Sequence, residues 1–512
     1  MISAGRIADT LARNGHDVTF ASIEAGQSIT RFPRFKNHTN IVPLGYVSIE
    51  EERKFQETTQ QRTLNTFDPL SLQGKYAAIT GNVKVFGIAC ERILKHNATL
   101  LQKLKSQKFD AMFTEQLTAC GSALSEVLDI PVHFLVSSCT LFEAIADIFG
   151  VPTPNGYLPA ALGMTKLTDE MTFTERARNQ VEVEVVRKGF EFMYANVTAL
   201  FRQYYGPEFP EAREIIKRKT PFLFIATEDL IDFPRPWPPN VIRIGGLGID
   251  YKAAASAKVT LEEPFVTEMK KGAKGVVFFS LGSNTNSGGL PDSVKSNLFG
   301  TFAKYPDYHF IVKLEKGDER SREIINNAPN VYVTTWAPQP ALLRHPRLEL
   351  FITHGGYNSL LEVASAGKPV LLIPMMHDQT RNAAVTERNG WGRSINRLDL
   401  LETSKYFEVE LTEMLNTDKY KIGAKRIQKL LQTKPFSADQ VFLGHVNFAL
   451  ANEGRLPEIR TVAHSLSVVT QYNLDVWGLF LVGVISGVVV VVGLTVLVLK
   501  KVTALSSKEK QN

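Results

Sequence analysis

Apolar residues along this chain fall into short unbroken runs separated by longer stretches with helical spacing. GVVFFS (275–280), YHFIVK (308–313), NVYVTT (330–335), LELFIT (348–353) and KPVLLIP (368–374) show no in–out alternation, the mark of strands buried on both faces. The intervening segments repeat their apolar positions every three to four residues, as amphipathic helices do. FDAMFTEQ (109–116), PVHFLVSS (131–138) and PFLFIAT (221–227) continue the alternation in the first half. Near the start, ISAGRIADTLARNG reads as a helix with Ile7, Ala8 and Leu11 on one face, ended by Asn14-Gly15 and followed by the strand DVTFAS. The pattern predicts an α/β protein of doubly wound parallel sheets.

Breaks in the pattern divide the chain. Pro234, Pro236, Pro238 and Pro239 remove backbone donors and fix φ, so a domain boundary is expected near Gly245–Lys274. Residues 169–205 form a long helical pattern with acids early and bases late, and 403–432 read as two amphipathic helices. Trp477 to Leu499 carries no charge over 23 residues, long enough to cross a hydrocarbon core. Lys500, Lys501, Lys508 and Lys510 follow it, which predicts a cytosolic tail and a body on the opposite side.

Candidate chemistry concentrates where one strand becomes a helix. After LELFIT come His354, Gly355 and Gly356, and the helix is expected from about Asn358. Glycines let the backbone approach a ligand, and the free amides and dipole of a first helical turn favour an anion. Asn358 and Ser359 can add donors, and Glu362, one turn on, can accept from a sugar diol. An ordinary strand–turn–helix with Asn358 or Ser359 as N-cap would share this short signal. The wider spacing separates the two readings: Trp336 and Gln339 stand about 18 residues before His354, and PMMHDQ begins about 20 residues after it.

This spacing resembles the signature of the UDP-glycosyltransferases, membrane-anchored and UDP-glucuronosyltransferase-like. The resemblance implies two Rossmann-like domains facing a cleft (GT-B type), with the acceptor domain in 1–245, the donor domain in 246–450, a return segment in 451–476, a transmembrane helix in 477–499 and a tail in 500–512. It implies that Trp336 stacks on uracil, Gln339 bonds the uracil edge, His354, Asn358 and Ser359 beside Gly356 hold the diphosphate, Glu362 takes the ribose, and Asp378 and Gln379 meet the donor sugar. A glycine–serine turn at Ser280, Gly282 and Ser283 matches another phosphate contact of the family. Glu115, at the end of a strand, stands where the family has an acid that orients a base histidine; a surface acid or a helix-start acid is the alternative. That histidine would precede Met1, and His16 lies at the wrong end of its helix to replace it. The chain therefore reads as cut short at its N-terminus.

The implied reaction is inverting transfer of a glucuronosyl or glucosyl group from a UDP-sugar to a small lipophilic acceptor. A UDP-sugar-binding homologue with impaired catalysis, acting as a membrane partner, is the second reading. No cofactor is expected beyond the UDP-sugar, and no metal, since the sequence has no D-x-D pair. An oxidoreductase is disfavoured because no GxGxxG follows the first strand. A net charge of +6 over 512 residues, without a run of five like charges, gives no reason to expect nucleic acid. Cys90, Cys120 and Cys139 lack CxxC spacing, so buried thiols are expected, with one disulfide open to an oxidising lumen. Sequons at Asn37, Asn97 and Asn196 and the lysine-bearing KEKQN end suit a single-pass endoplasmic-reticulum protein with a lumenal body; homo- or hetero-oligomers stay open.

Overall fold

A computed structural model describes residues 2–23, 39–45, 49–68, 86–256, 259–282 and 285–509. Its first strands and helices are α1 (Ile2–Arg13), β1 (Val18–Ile23), β2 (Thr39–Leu44), α2 (Ile49–Asn65), α3 (86–96) and α4 (Ala98–Ser106). These are followed by β3 (Ala111–Glu115), α5 (Cys120–Val127), β4 (Val132–Ser137), α6 (Glu143–Phe149), α7 (Phe173–Tyr205), α8 (Ala212–Lys219), β5 (Leu223–Ile225) and β6 (Val241–Arg243). β3, β4, β5 and β6 form a parallel sheet in that order, and β1 pairs with β2 in a separate parallel ribbon.

The second half contains α9 (Tyr251–Ser256), α10 (Phe265–Glu268), β7 (Gly275–Ser280), α11 (Asp292–Phe302), β8 (Tyr308–Lys313), α12 (Glu319–Ile325), β9 (Val331–Thr334) and α13 (Gln339–Arg344). It continues through β10 (Leu348–Thr353), α14 (Tyr357–Ala366), β11 (Val370–Leu372), α15 (Gln379–Arg388), β12 (Gly392–Ser394), α16 (Asp399–Glu402), α17 (Lys405–Asn416) and α18 (Lys419–Gln432). All six strands are parallel in the order β12-β11-β10-β7-β8-β9. Strand order therefore reverses between β7 and β10, and such a switch opens a crevice at the carboxyl ends of the two strands. Ser280 pairs with Thr353 at those ends, so the Gly282 loop and the His354 turn leave the sheet side by side.

The unbroken apolar runs have the predicted consequence. β7 is buried at every position, and Phe278 stacks on Phe351 of β10 with ring centroids 5.1 Å apart. Helices on both faces take these side chains out of water, the main favourable term in folding.

Two segments depart from the order of the sequence. α19 (Ala438–Ala451) packs on the first sheet rather than the second: Phe442 lies 5.0 Å from Phe224, and Val446 and Ala449 join Phe134 in one cluster. The chain thus returns by residue 438, ahead of the 451 that the sequence suggests. α2, from the first half, docks on the second. Phe67 just beyond it is buried with Val277 and Phe279, the Asn286 amide donates to Thr63 Oγ1 (3.1 Å), and Arg397 donates to the Thr66 carbonyl (2.7 Å).

Cys90 and Cys120 form a disulfide, which resolves the alternative the sequence left open, while Cys139 remains a free thiol. Of the sequon asparagines, Asn196 is exposed on α7, Asn97 accepts from the Gly45 amide (2.8 Å), and Asn37 lies outside the described residues. Met1–Arg460 is one compact unit and Thr461–Asn512 another. The second unit holds α20 (Val468–Gln471) and α21 (Leu474–Glu509). Leu474–Lys501 within α21 contains an 18-residue stretch with a mean hydropathy of 2.8, and the segment is long and apolar enough to cross a membrane.

Candidate active site

The β10–α14 turn is built around the ring of His354. Gly355 has φ +87°, a left-handed conformation that side chains resist, whereas Gly356 has ordinary φ and is needed for a different reason. A β-carbon at Gly356 would fall 2.6 Å from His354 Nε2, and one at Gly282 would fall 2.5 Å from His354 Cε1. The imidazole is thus held between two glycines from two adjacent strand ends. Burial, with Lys313 and His377 nearby, lowers its pKa to about 4, so His354 is neutral at pH 7. α14 begins at Tyr357, and its first turn has no side-chain cap. A helix start without such a cap keeps its first amides for an anion, although the Ser359 amide is already bonded to the Gly356 carbonyl (2.9 Å).

Around this turn the sequence-predicted residues form two hydrogen-bonded groups. Gln339, at the start of α13, donates to Glu362 Oε2 (2.9 Å) and to Ser359 Oγ (3.2 Å). Trp336 lies just before it and is 59% exposed. On the other side Asn382 donates both to Asp378 Oδ2 (3.0 Å) and to the Gly355 carbonyl (3.0 Å), which ties the 378 turn to the glycine turn. The Gln379 side-chain carbonyl accepts from the Met375 and Met376 amides (2.8 and 2.9 Å), so this part of Gln379 shapes the turn. Burial raises Asp378 to about 6, although the Asn382 hydrogen bond opposes the shift.

Glu115 comes from the first half, at the carboxyl end of β3. Its Oε1 accepts from the Gln116 and Ser138 amides (3.1 Å each), yet burial raises its pKa to about 7. Burial also raises the Cys139 thiol, with contributions from the charges of Asp378 and Glu115. Ser283 lies outside the described residues.

Several participants were not visible in the sequence. Asn382 had only its helical i+4 spacing from Asp378 to suggest it. Arg6 on α1 reaches Asn358 Oδ1 and Glu362 Oε1, each at 3.5 Å, and nothing local marks it. Arg381 and Asp232 form a buried ion pair between α15 and the first-half loop, with Arg381 also over the Phe233 ring.

Two parallel-sheet halves, with an uncapped glycine-opened helix at a strand-order switch, define a GT-B glycosyltransferase fold. Solved structures agree: the glycosyltransferase VinC in complex with DTDP superposes with TM-score 0.55 at 14% identity, covering 88% of this chain and 96% of that one. The structure of Phytolacca americana UGT2 complexed with UDP-2fluoro-glucose and pterostilbene gives 0.54 at 15%, with coverage of 88% and 96%.

The chain belongs to the UDP-glucuronosyl and UDP-glucosyl transferases, since residues 1–510 match the family described as "UDP-glucoronosyl and UDP-glucosyl transferase". The putative UDP-glucuronosyltransferase ugt-47 of Caenorhabditis briggsae is 36% identical over 93% of this chain and 86% of its own length. UDP-glucuronosyltransferase 1A4 of Oryctolagus cuniculus is 28% identical over 86% and 79%.

Proposed function

We propose that this chain transfers a glucuronosyl or glucosyl group from a UDP-sugar to a hydroxyl of a small lipophilic acceptor, with inversion at the anomeric carbon. The observation that supports the reading is that Gln339 bonds Glu362 of α14 while Asn382 joins Asp378 to Gly355 in the turn before that helix. Uracil stacks on Trp336, Glu362 accepts from the ribose hydroxyls, and the diphosphate lies on the first-turn amides of α14, beside Gly356, Asn358 and Ser359. Negative charge develops on UDP as it leaves, and those amides and the helix dipole stabilise it; the reading assigns this work to backbone donors rather than to a metal. Asp378 and Gln379 hold the sugar hydroxyls.

The acceptor hydroxyl must lose its proton as it attacks, which calls for a base with a pKa near neutral. Glu115, raised to about 7, has the basicity for that role or for holding an imidazolium in it. The apolar helix Leu474–Lys501 anchors the protein, and the lysines after it favour a lumenal body in the endoplasmic reticulum.

The test is transfer from radiolabelled UDP-glucuronate and UDP-glucose to a panel of lipophilic phenols and alcohols by the membrane-bound chain. Labelled glycoside from either donor supports the reading. Binding of UDP without product over the panel supports the binding-partner alternative, and absence of UDP binding overturns both.

A further inference from the structure

The donor site receives a cation from the other half of the molecule. Arg6, on α1, places its guanidinium 3.5 Å from Asn358 Oδ1 at the first turn of α14 and 3.5 Å from Glu362 Oε1 one turn later. It therefore spans the positions at which a diphosphate and a ribose would lie. Beside it is a small cavity of about 10 Å³, roughly the room of one water, lined by Arg6, Ile7, Leu247, Asn358 and Leu361. The stem of Arg6 passes close to Gly248, where an added β-carbon would stand 3.3 Å from Arg6 Cγ.

Both Glu362 oxygens have donors in this arrangement: Oε2 accepts from Gln339 at 2.9 Å and Oε1 from Arg6 at 3.5 Å. A ribose diol that meets both oxygens competes with these two donors for the carboxylate's lone pairs. Gln339 belongs to the same half as Glu362 and makes the shorter contact; Arg6 makes the longer one from a flexible stem. The arginine is the partner to yield. Once released from Glu362, the guanidinium can pair with a diphosphate on the α14 start, and guanidinium–phosphate pairs are among the stronger charge-assisted contacts.

We propose that Arg6 is a donor-binding residue contributed by the first half, which neutralises Glu362 in the free protein and transfers to the diphosphate when a UDP-sugar binds. The inference rests on the proposed UDP-sugar reading and adds to it a phosphate contact that links the two halves.

Calorimetric titration of the full-length protein with UDP and, separately, with uridine tests it in the wild type, Arg6→Ala and Arg6→Gln. The expected result is UDP binding weakened by about tenfold in both variants, with uridine affinity unchanged or slightly improved because Glu362 is relieved of its partner. Arg6→Gln keeps a hydrogen-bonding group without the charge, so it carries the test if Arg6→Ala does not fold. Equal UDP affinity in wild type and variants overturns the inference, and so does equal loss of UDP and uridine, which would mark a structural role. Failure of the wild type to bind UDP would instead overturn the underlying donor-site reading.

Discussion

His354 occupies the space a side chain at Gly282 would need: a β-carbon built there falls 2.5 Å from the imidazole, and Gly282 itself has φ +77°. Two residues 72 positions apart thus require one another at the point where strand order reverses. Gly282→Ala should strain the backbone by about 1–2 kcal/mol and push the ring off its seat. The expected outcome is a melting temperature lowered by a few degrees, with donor KM raised more than acceptor KM. An unchanged donor KM would show that the position of the ring does not matter to the site.

Trp336 offers a cleaner separation of binding from folding. It is 59% exposed, so Trp336→Ala removes little packing and should leave the melting temperature nearly unchanged. Loss of a base-stacking surface costs about 1–3 kcal/mol, or roughly 5- to 150-fold in UDP affinity. Donor KM and inhibition by free UDP report it, and Trp336→Phe should recover part of the loss.

The pH dependence follows from the two buried acids. Glu115 is raised to about 7 and Asp378 to about 6, whereas both have ordinary carboxylate values in the unfolded chain. Between about pH 4 and pH 7 the native state holds more protons than the unfolded state, so these groups' contribution to stability falls as pH rises through that window and is level above it. Glu115→Gln should flatten that slope, read as a smaller difference between melting temperatures at pH 5 and pH 8. On the proposed role of Glu115, activity behaves oppositely, because a base must be deprotonated: kcat/KM should climb to a plateau above about pH 7, and Glu115→Gln should lower kcat by about 10²- to 10⁴-fold.

The Cys90–Cys120 disulfide closes a span of 30 residues between two cysteines that are almost fully buried. Its removal by Cys90→Ser should cost about 2–4 kcal/mol and lower the melting temperature. Alkylation before and after reduction, read by mass spectrometry, should find one free thiol, Cys139, and then three. Three free thiols before reduction would contradict the pairing.

The distribution of these features explains how much could be read from the chain. Strands were legible because β7, β10 and β11 are buried on both faces and so appear as unbroken apolar runs. The turn at Gly355 was legible because strand, glycines and helix lie within a few residues of one another. Gly282 against His354, Arg6 against Glu362, α2 on the second half and Cys90 with Cys120 depend on how distant segments meet, and local periodicity carries none of that. The sequence also suggested one phosphate role for both Gly355 and Gly356, whereas the structure distinguishes a backbone that requires positive φ from one that requires space for a ring.

UDP titration into wild type and Glu362→Ala by calorimetry tests the site most directly, since the proposed reading makes Glu362 the ribose acceptor. The account predicts saturable binding by the wild type and at least about tenfold weaker binding by the variant, with folding intact by circular dichroism. Wild type and variant binding UDP equally well would contradict it.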